Sequence, residues 1–474
     1  MCALGSSIFN TVIALRATIA EQLSECLIGI TYDDFPSATV HQAKRSILDY
    51  LGATIRGVQT NPGKIGTTLA ERFGGPSEST IVGSGKKVAC SNAALANGIM
   101  GHAVQIDDGH RYAQAHPATA IMPAAVATGE RQNSSGQDLI AATILGYEAF
   151  IRIGIAINPS HNDRGFHSTG TLGAFGSTVA AGILLRLDKK QMVDALGSAG
   201  SLASGLMEYI SDGSMSKYLI PGNAAKNGVL AALLAQEGFT GPHLVFEGRK
   251  GFFRAASDKY DLTAVTKNLP KTVLGVSHQY KIMECYFKPY PVCGHITPTV
   301  DSIWKLTREK PVEQEDIAKV TIRTYALALD ESDDPSPKTT TGATVSLQYA
   351  AAAALIHGRL TPDEFTERKL HDPKIRELMK RIEVTVDPEL DKLAPAKRCS
   401  IVELTTKDGT TRSARVDSPK GEPESPLTDS EVKAKFYSLA TPVLGRERCE
   451  RIETTVNSLE DLSSVRDLGA LFAP

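Results

Sequence analysis

The run Gly170-Thr-Leu-Gly-Ala-Phe-Gly-Ser-Thr-Val-Ala-Ala-Gly-Ile-Leu-Leu185 carries no charge and no alternation of polar with apolar residues. Its small residues read as a helix that neighbouring helices approach closely. The spacing of Gly170, Gly173 and Gly176 is not a dinucleotide fingerprint, because no strand precedes it and no acid follows at the required distance. These glycines are expected at helix-packing positions. The same richness in Ala and Gly marks residues 88–131 and 196–236, so the expectation is a tightly packed helical domain. A long helix is predicted after Pro36-Ser37, where Val40, Ala43, Ile47, Leu51 and Ile55 recur at helical spacing and stop near Gly57.

Beyond about Val276 the pattern changes. Ala318 to Tyr325, Ile382 to Val386 and Ile401 to Thr405 alternate as strands do, and Lys407-Asp408-Gly409 is a hairpin turn into a further strand. Between them a helix is predicted over Val345 to Ile356, and a charged surface helix over Asp363 to Lys380. After a Pro-rich linker, Pro419 to Pro426, helical signals resume with Thr428 or Asp429 as the cap. The expected fold is mainly α with an inserted α+β unit. It comprises a large all-helical domain over 1–275, a smaller α/β domain over 276–420, and C-terminal helices over 421–474 that pack back on the first domain.

The chain has 474 residues, long enough for more than one domain. Its 51 basic and 53 acidic residues nearly cancel, which argues against nucleic acid as a partner. Seven cysteines, scattered without a CxxC pair, point to reduced thiols and a cytoplasmic setting. The run from Gly170 to Leu185 is too short to span a membrane and is stopped by Arg186, so no membrane role is expected. Ser6 to Gln22 is apolar with Arg16 and no acid before Glu21, so a mitochondrial-targeting reading stands beside that of a plain first helix.

Four polar islands interrupt the apolar background. The first is Gln105-Ile-Asp107-Asp108-Gly-His110 with His116-Pro117, which permits three uses: a divalent metal, an acid–base pair, or the capping of a helix start. The metal reading is the weakest, since there is no HExxH-like pair and no third well-spaced ligand, so no metal is expected. His167, in Gly165-Phe-His167-Ser-Thr-Gly-Thr171, is either a satisfied core histidine or part of the same site. Lys217 and Lys226 flank Pro221-Gly222-Asn223, where a helix start would offer N–H groups to a ligand carboxylate; the plain alternative is a surface lysine. Lys288 lies in Phe287-Lys288-Pro-Tyr-Pro-Val-Cys293-Gly-His295, whose thiol reads as structural rather than nucleophilic. Gly83 to Lys87 lacks Walker A spacing and is a turn.

Taken in order, these motifs resemble the MmgE/PrpD family: Asp107-Asp108-x-His110 with His116, Gly165-Phe-His167, Lys217 before Pro221-Gly-Asn-Ala-Ala-Lys-Asn-Gly228, and Lys288-x-Tyr-Pro-x-Cys293. The resemblance covers nearly the whole chain. It implies a helical domain with a smaller α/β lid, a homodimer, no metal or organic cofactor, and an inter-domain site. It assigns roles to His116, His167, Lys217 and Lys288. Two positions depart from the decarboxylases of that family: Gln105 stands where an acid is found, and Leu329 where the animal enzymes have tyrosine.

The chemistries of such a family, which include 2-methylcitrate dehydration, cis-aconitate decarboxylation and iminodisuccinate epimerisation, share one difficulty. Each makes or protonates a carbanion next to a carboxylate. Lys217 and Lys288 suit the clamping of carboxylates. His116 and His167 suit proton transfer, with Asp107 or Asp108 orienting an imidazole. Gln105, His110, Asn223 and His295 are expected to line the substrate. The leading expectation is a cofactor-independent lyase on a small di- or tricarboxylate; the alternatives are an epimerase and a catalytically silent binding subunit.

Overall fold

The computed structural model describes residues 17–270 and 279–473. Most of the run read for targeting and the expected boundary at 275/276 lie outside the described residues. The chain is mainly α with a small α/β part.

The helices that build the site are α1 (Ser37–Gly57), α2 (Cys90–His102), α3 (Ala118–Gln132), α4 (Gly136–Ile157), α5 (Ser168–Leu184) and α6 (Ser216–Gln236). α5 is central, packed against α3, α4 and α6. Its glycines are where the helices touch. A Cβ at Gly173 would lie 2.7 Å from that of Ala120, and one at Gly176 2.9 Å from that of Phe150, so the packing reading of this run holds. α4 begins with a capping box between Ser135 and Asp138. It is the one helix among the described residues long and apolar enough to cross a membrane, and it is buried almost throughout.

α6 corrects an expectation. Pro221-Gly222-Asn223 does not start a helix but lies inside one that begins at Ser216. A proline in a helix interior costs about 3 kcal/mol. Tertiary packing outweighs it here: α2 and α6 cross so closely that a Cβ at Gly98 would sit 2.6 Å from the Gly222 Cα.

The helical part also holds a short antiparallel ribbon, β1 (Ser79–Thr80) with β2 (Lys87–Val88), so it is not all-helical; the Gly83 to Lys87 segment provides its turn. Further along, β3 (Ile317–Thr324), β4 (Ile382–Val386), β5 (Ser400–Thr406) and β6 (Thr411–Val416) form one sheet in the order β4-β3-β5-β6. β3 pairs with β4 in parallel and with β5 antiparallel, so Ile322 stands between Val384 and Val402. Val320, Ile322, Val402 and Leu404 join a core with Ile303 and Trp304 of α7 (Thr297–Glu309) and the alanines of α8 (Leu347–His357). The Asp363 to Lys380 segment is not one helix. It divides into the turns Pro362–Phe365 and Glu367–Leu370 and a short helix Pro373–Met379, each started by its own side-chain cap, from Thr361, Thr366 and Asp372.

α9 (Asp429–Leu444) starts at Thr428 with Glu431 closing a capping box. It lies along α1, where the Phe436 Cα would be 3.3 Å from a Cβ on Gly52. Lys435 of α9 is buried; its Nζ is 2.5 Å from Asp49 Oδ1 of α1 and donates to the Ile106 carbonyl at 2.6 Å. The chain's C-terminal region thereby holds the loop that carries Asp107.

Candidate active site

That loop leaves α2 at His102 and turns at Gln105, whose φ of 55° is left-handed. The reversal brings Asp107 back onto the helix end: Asp107 Oδ2 is 3.0 Å from His102 Nδ1 and 3.3 Å from His116 Nδ1. His116 Nδ1 also donates to the Asp108 carbonyl at 2.6 Å. A carbonyl only accepts, so the proton of neutral His116 sits on Nδ1 and Nε2 keeps its lone pair. Lys288 is buried as well, with Nζ 3.5 Å from Asp107 Oδ1 and donating to the Gln105 carbonyl at 3.1 Å.

His167 immediately precedes α5, its ring centroid 6.3 Å from that of His102. The Tyr209 ring lies between His167, at 5.6 Å, and the Lys217 ammonium, at 5.1 Å. Lys217 is in the first turn of α6, buried, and forms no ion pair among the described residues. His102, His116, His167, Asp107, Lys217 and Lys288 therefore form one buried cluster.

Its electrostatics follow from burial. Burial alone would raise Asp107, but His102, Lys288 and His116 together hold its carboxyl well below the ordinary range. Burial, then Lys288, holds His116 well below an ordinary histidine. Burial, with His102 and Lys217, does the same to His167. Burial lowers Lys217 too. Four polar atoms in this cluster are buried without a hydrogen-bond partner among the described residues: His102 Nε2, Gln105 Nε2, Asp107 Oδ1 and His167 Nδ1. Buried polar atoms are almost always satisfied, so four together mark a place built for a polar ligand.

Other expected residues are engaged by other partners. The Asp108 carboxylate accepts from the Ala118 N–H at 3.0 Å and from the Tyr147 hydroxyl at 2.7 Å. It anchors the start of α3, and burial pushes its pKa up to about 7. His110 uses both ring nitrogens inside the protein: Nδ1 accepts from the Ala113 N–H, and Nε2 meets Glu284 Oε2 at 3.2 Å. Asn223 donates to Ser204 Oγ at 3.3 Å from within the continuous α6. Lys226 lies over the Phe73 ring. His295 contacts Tyr325 and Glu331 on the α/β side.

The sequence reading missed His102, Tyr209, Tyr218 and Glu331. His102 carried one signal, a histidine in the small-residue context just before the acid pair. Tyr218 is a shared wall: its ring is 6.0 Å from that of His102, its hydroxyl donates to Thr341 Oγ1 at 3.1 Å, and it lines a cleft of about 840 Å³ between the helical and α/β parts.

Comparisons with known proteins identify the family. The MmgE/PrpD N-terminal domain matches residues 21–264 and the MmgE/PrpD C-terminal domain residues 290–461. The chain is 27% identical to the cis-aconitate decarboxylase-like protein oryM of Aspergillus oryzae, over 97% of this chain and 98% of that one. It is 27% identical to the cis-aconitate decarboxylase of Aspergillus terreus, over 96% and 95% of the two chains. A mitochondrial 2-methylcitrate dehydratase of Yarrowia lipolytica is 29% identical over 58% of this chain and 53% of its own. Decarboxylases and dehydratases of this kind break carbon–carbon and carbon–oxygen bonds without hydrolysis or oxidation. The chain belongs to the MmgE/PrpD family and is an enzyme of that lyase type.

Proposed function

We propose that this lyase decarboxylates a small tricarboxylate of the cis-aconitate type, with its own side chains doing the acid–base work. The observation that carries the reading is the buried cluster of Lys217, two oriented imidazoles and several buried polar atoms without a hydrogen-bond partner among the described residues. Relatives named cis-aconitate decarboxylase, matched nearly end to end, support it.

In this mechanism Lys217 takes one carboxylate, and Lys288 with the Gln105 amide takes another. Loss of CO₂ leaves the bonding electron pair on carbon, delocalised into a neighbouring carboxylate whose charge the two ammonium groups stabilise. An imidazole then delivers one proton to carbon. The bound carboxylates raise the lowered histidine pKa values, so the proton arrives with the substrate. Asp107, held ionised, supports the imidazolium that forms. Substrate reaches the cluster by way of the cleft beyond Tyr218.

Dehydration is the second reading, favoured by the match to 2-methylcitrate dehydratase over part of the chain. There an imidazole removes the proton next to a carboxylate as hydroxide leaves. Incubation with cis-aconitate and, separately, with 2-methylcitrate distinguishes the two by product mass. Loss of CO₂ from the first supports decarboxylation, loss of water from the second supports dehydration, and turnover of neither, with ligand binding intact, overturns both.

A further inference from the structure

Across the cluster from α3 and α5, the α/β side presents a second group of ligating side chains that the proposed reaction does not use. Cys293, His295 and Glu331 each offer one atom, and the three atoms lie within 4.8 Å of one another. Cys293 Sγ is 3.9 Å from Glu331 Oε2, and His295 Nε2 is 3.5 Å from that same oxygen. A thiolate and a carboxylate on one tetrahedral zinc ion sit roughly 3.6 Å apart, and an imidazole and a carboxylate roughly 3.4 Å. The side chains thus already stand close to coordination spacing.

Their supports are of the kind a metal site needs. His295 Nδ1 is 2.5 Å from the Tyr325 hydroxyl; donating there leaves the Nε2 lone pair directed at Glu331. The Cys293 N–H donates to the Thr344 carbonyl at 2.9 Å, which fixes its turn. Arg398, the nearby guanidinium, is engaged by Glu422 at 3.2 Å and stacked on Tyr286, so it does not oppose a cation here with its full charge.

We propose that Cys293, His295 and Glu331 bind one divalent transition-metal ion of the zinc class. The donor set is one soft sulfur, one imidazole and one carboxylate, which excludes magnesium and calcium and suits zinc or cobalt. Thiolate and carboxylate together balance the ion's two charges. Three protein ligands leave one position for water or a carboxylate. The ion would tie the turn after Lys288 to the helix Ala326–Ser332.

The test is a Co²⁺ titration of the full chain without substrate, so it stands or falls apart from the reaction. One ion per chain with a thiolate-to-cobalt charge-transfer band is expected. Cys293→Ser should abolish the band, and Tyr325→Phe should weaken binding roughly 10- to 100-fold, each with the far-UV spectrum of the unaltered protein. Absence of the band in the unaltered protein, or its persistence in Cys293→Ser, overturns the site.

Discussion

Asp107 Oδ2 lies 3.0 Å from His102 Nδ1, and both side chains are fully buried. With Nδ1 donating to the carboxylate, His102 Nε2 faces the cluster and has no partner among the described residues. His102→Asn keeps an Nδ1-like donor to Asp107 and removes the atom that would meet substrate. Loss of a positioned acid or base lowers kcat by roughly 10²–10⁴, and His102→Asn is expected in that range with unchanged thermal unfolding. His110→Gln, which keeps an Nε2-like donor to Glu284, should lose less than ~10-fold. Because burial sets His102, His116 and His167 below the ordinary 6.5, the free enzyme is expected to take up a proton when substrate binds. In a pH profile, kcat/KM should then fall with rising pH, with its midpoint below 6.5.

The two adjacent aspartates should behave oppositely. Asp107→Asn removes the charge that supports imidazolium, and steady-state rates should fall by roughly 10²–10⁴. Asp108→Asn preserves both of its hydrogen bonds, with the amide oxygen on the Ala118 N–H and the amide nitrogen on the Tyr147 oxygen. Asp108 has a folded pKa of about 7, above its ordinary 3.8. The unfolded chain therefore ionises first as pH rises, and stability is lost across that window, by up to ~4 kcal/mol. Asp108→Asn should lack this loss, retain activity, and unfold at a higher temperature than the unaltered protein above neutral pH.

Where local chemistry decides, the sequence was legible. α1 follows from Val40, Ala43, Ile47, Leu51 and Ile55, and the β5–β6 hairpin from alternation around Asp408-Gly409. Where the fold decides, it was not. Pro221-Gly222-Asn223 has the composition of a helix start, but the Gly98–Gly222 crossing keeps α6 continuous. His102 joins the cluster only because the chain reverses at Gln105, and nothing in the composition of an apolar helix end announces that reversal. Asp107 and Asp108 are equivalent as letters, yet the first meets His102, His116 and Lys288 and the second the Ala118 N–H and the Tyr147 hydroxyl. Glu331 reads as the charge of a surface helix until Cys293 and His295 are brought beside it.

The lysines differ in what holds them. Lys217 has an aromatic neighbour and no ion pair among the described residues, whereas Lys288 is locked to Asp107 and the Gln105 carbonyl. Lys217→Ala should leave stability nearly unchanged and lower substrate affinity, measured by calorimetry with a polycarboxylate. Lys288→Ala leaves a buried carboxylate without its cation, a change that costs about 3–5 kcal/mol. Thermal unfolding should show that loss in addition to the loss of activity.

Ile65, Leu69 and Phe73 recur at four-residue spacing along the helix Asn61–Phe73, and Leu219 and Leu230 occupy the same outer stripe of α6 as Lys226, which reaches the Phe73 ring. Phe73 is 53% exposed and Leu219 50%, so this face meets solvent in the single chain. We propose that the homodimer implied by the family resemblance buries it. Light scattering should give twice the chain mass for the unaltered protein, and the chain mass for Phe73→Glu combined with Leu219→Glu. A monomer in both cases would refute the assignment.

Lys435 links stability to catalysis through a single ammonium group. It neutralises the fully buried Asp49 and holds the Ile106 carbonyl, one residue before Asp107. Lys435→Met fills the same space with an apolar stem but leaves Asp49 charged or forces it to take up a proton, at a cost of about 3–5 kcal/mol. The loop also loses its tether, so the Asp107–His102 geometry loosens and kcat should fall even below the unfolding temperature. Asp49→Asn combined with Lys435→Met removes the stranded charge without restoring the tether. Its thermal stability should recover relative to Lys435→Met while kcat stays low; recovery of both would mean that the pair acts on stability alone.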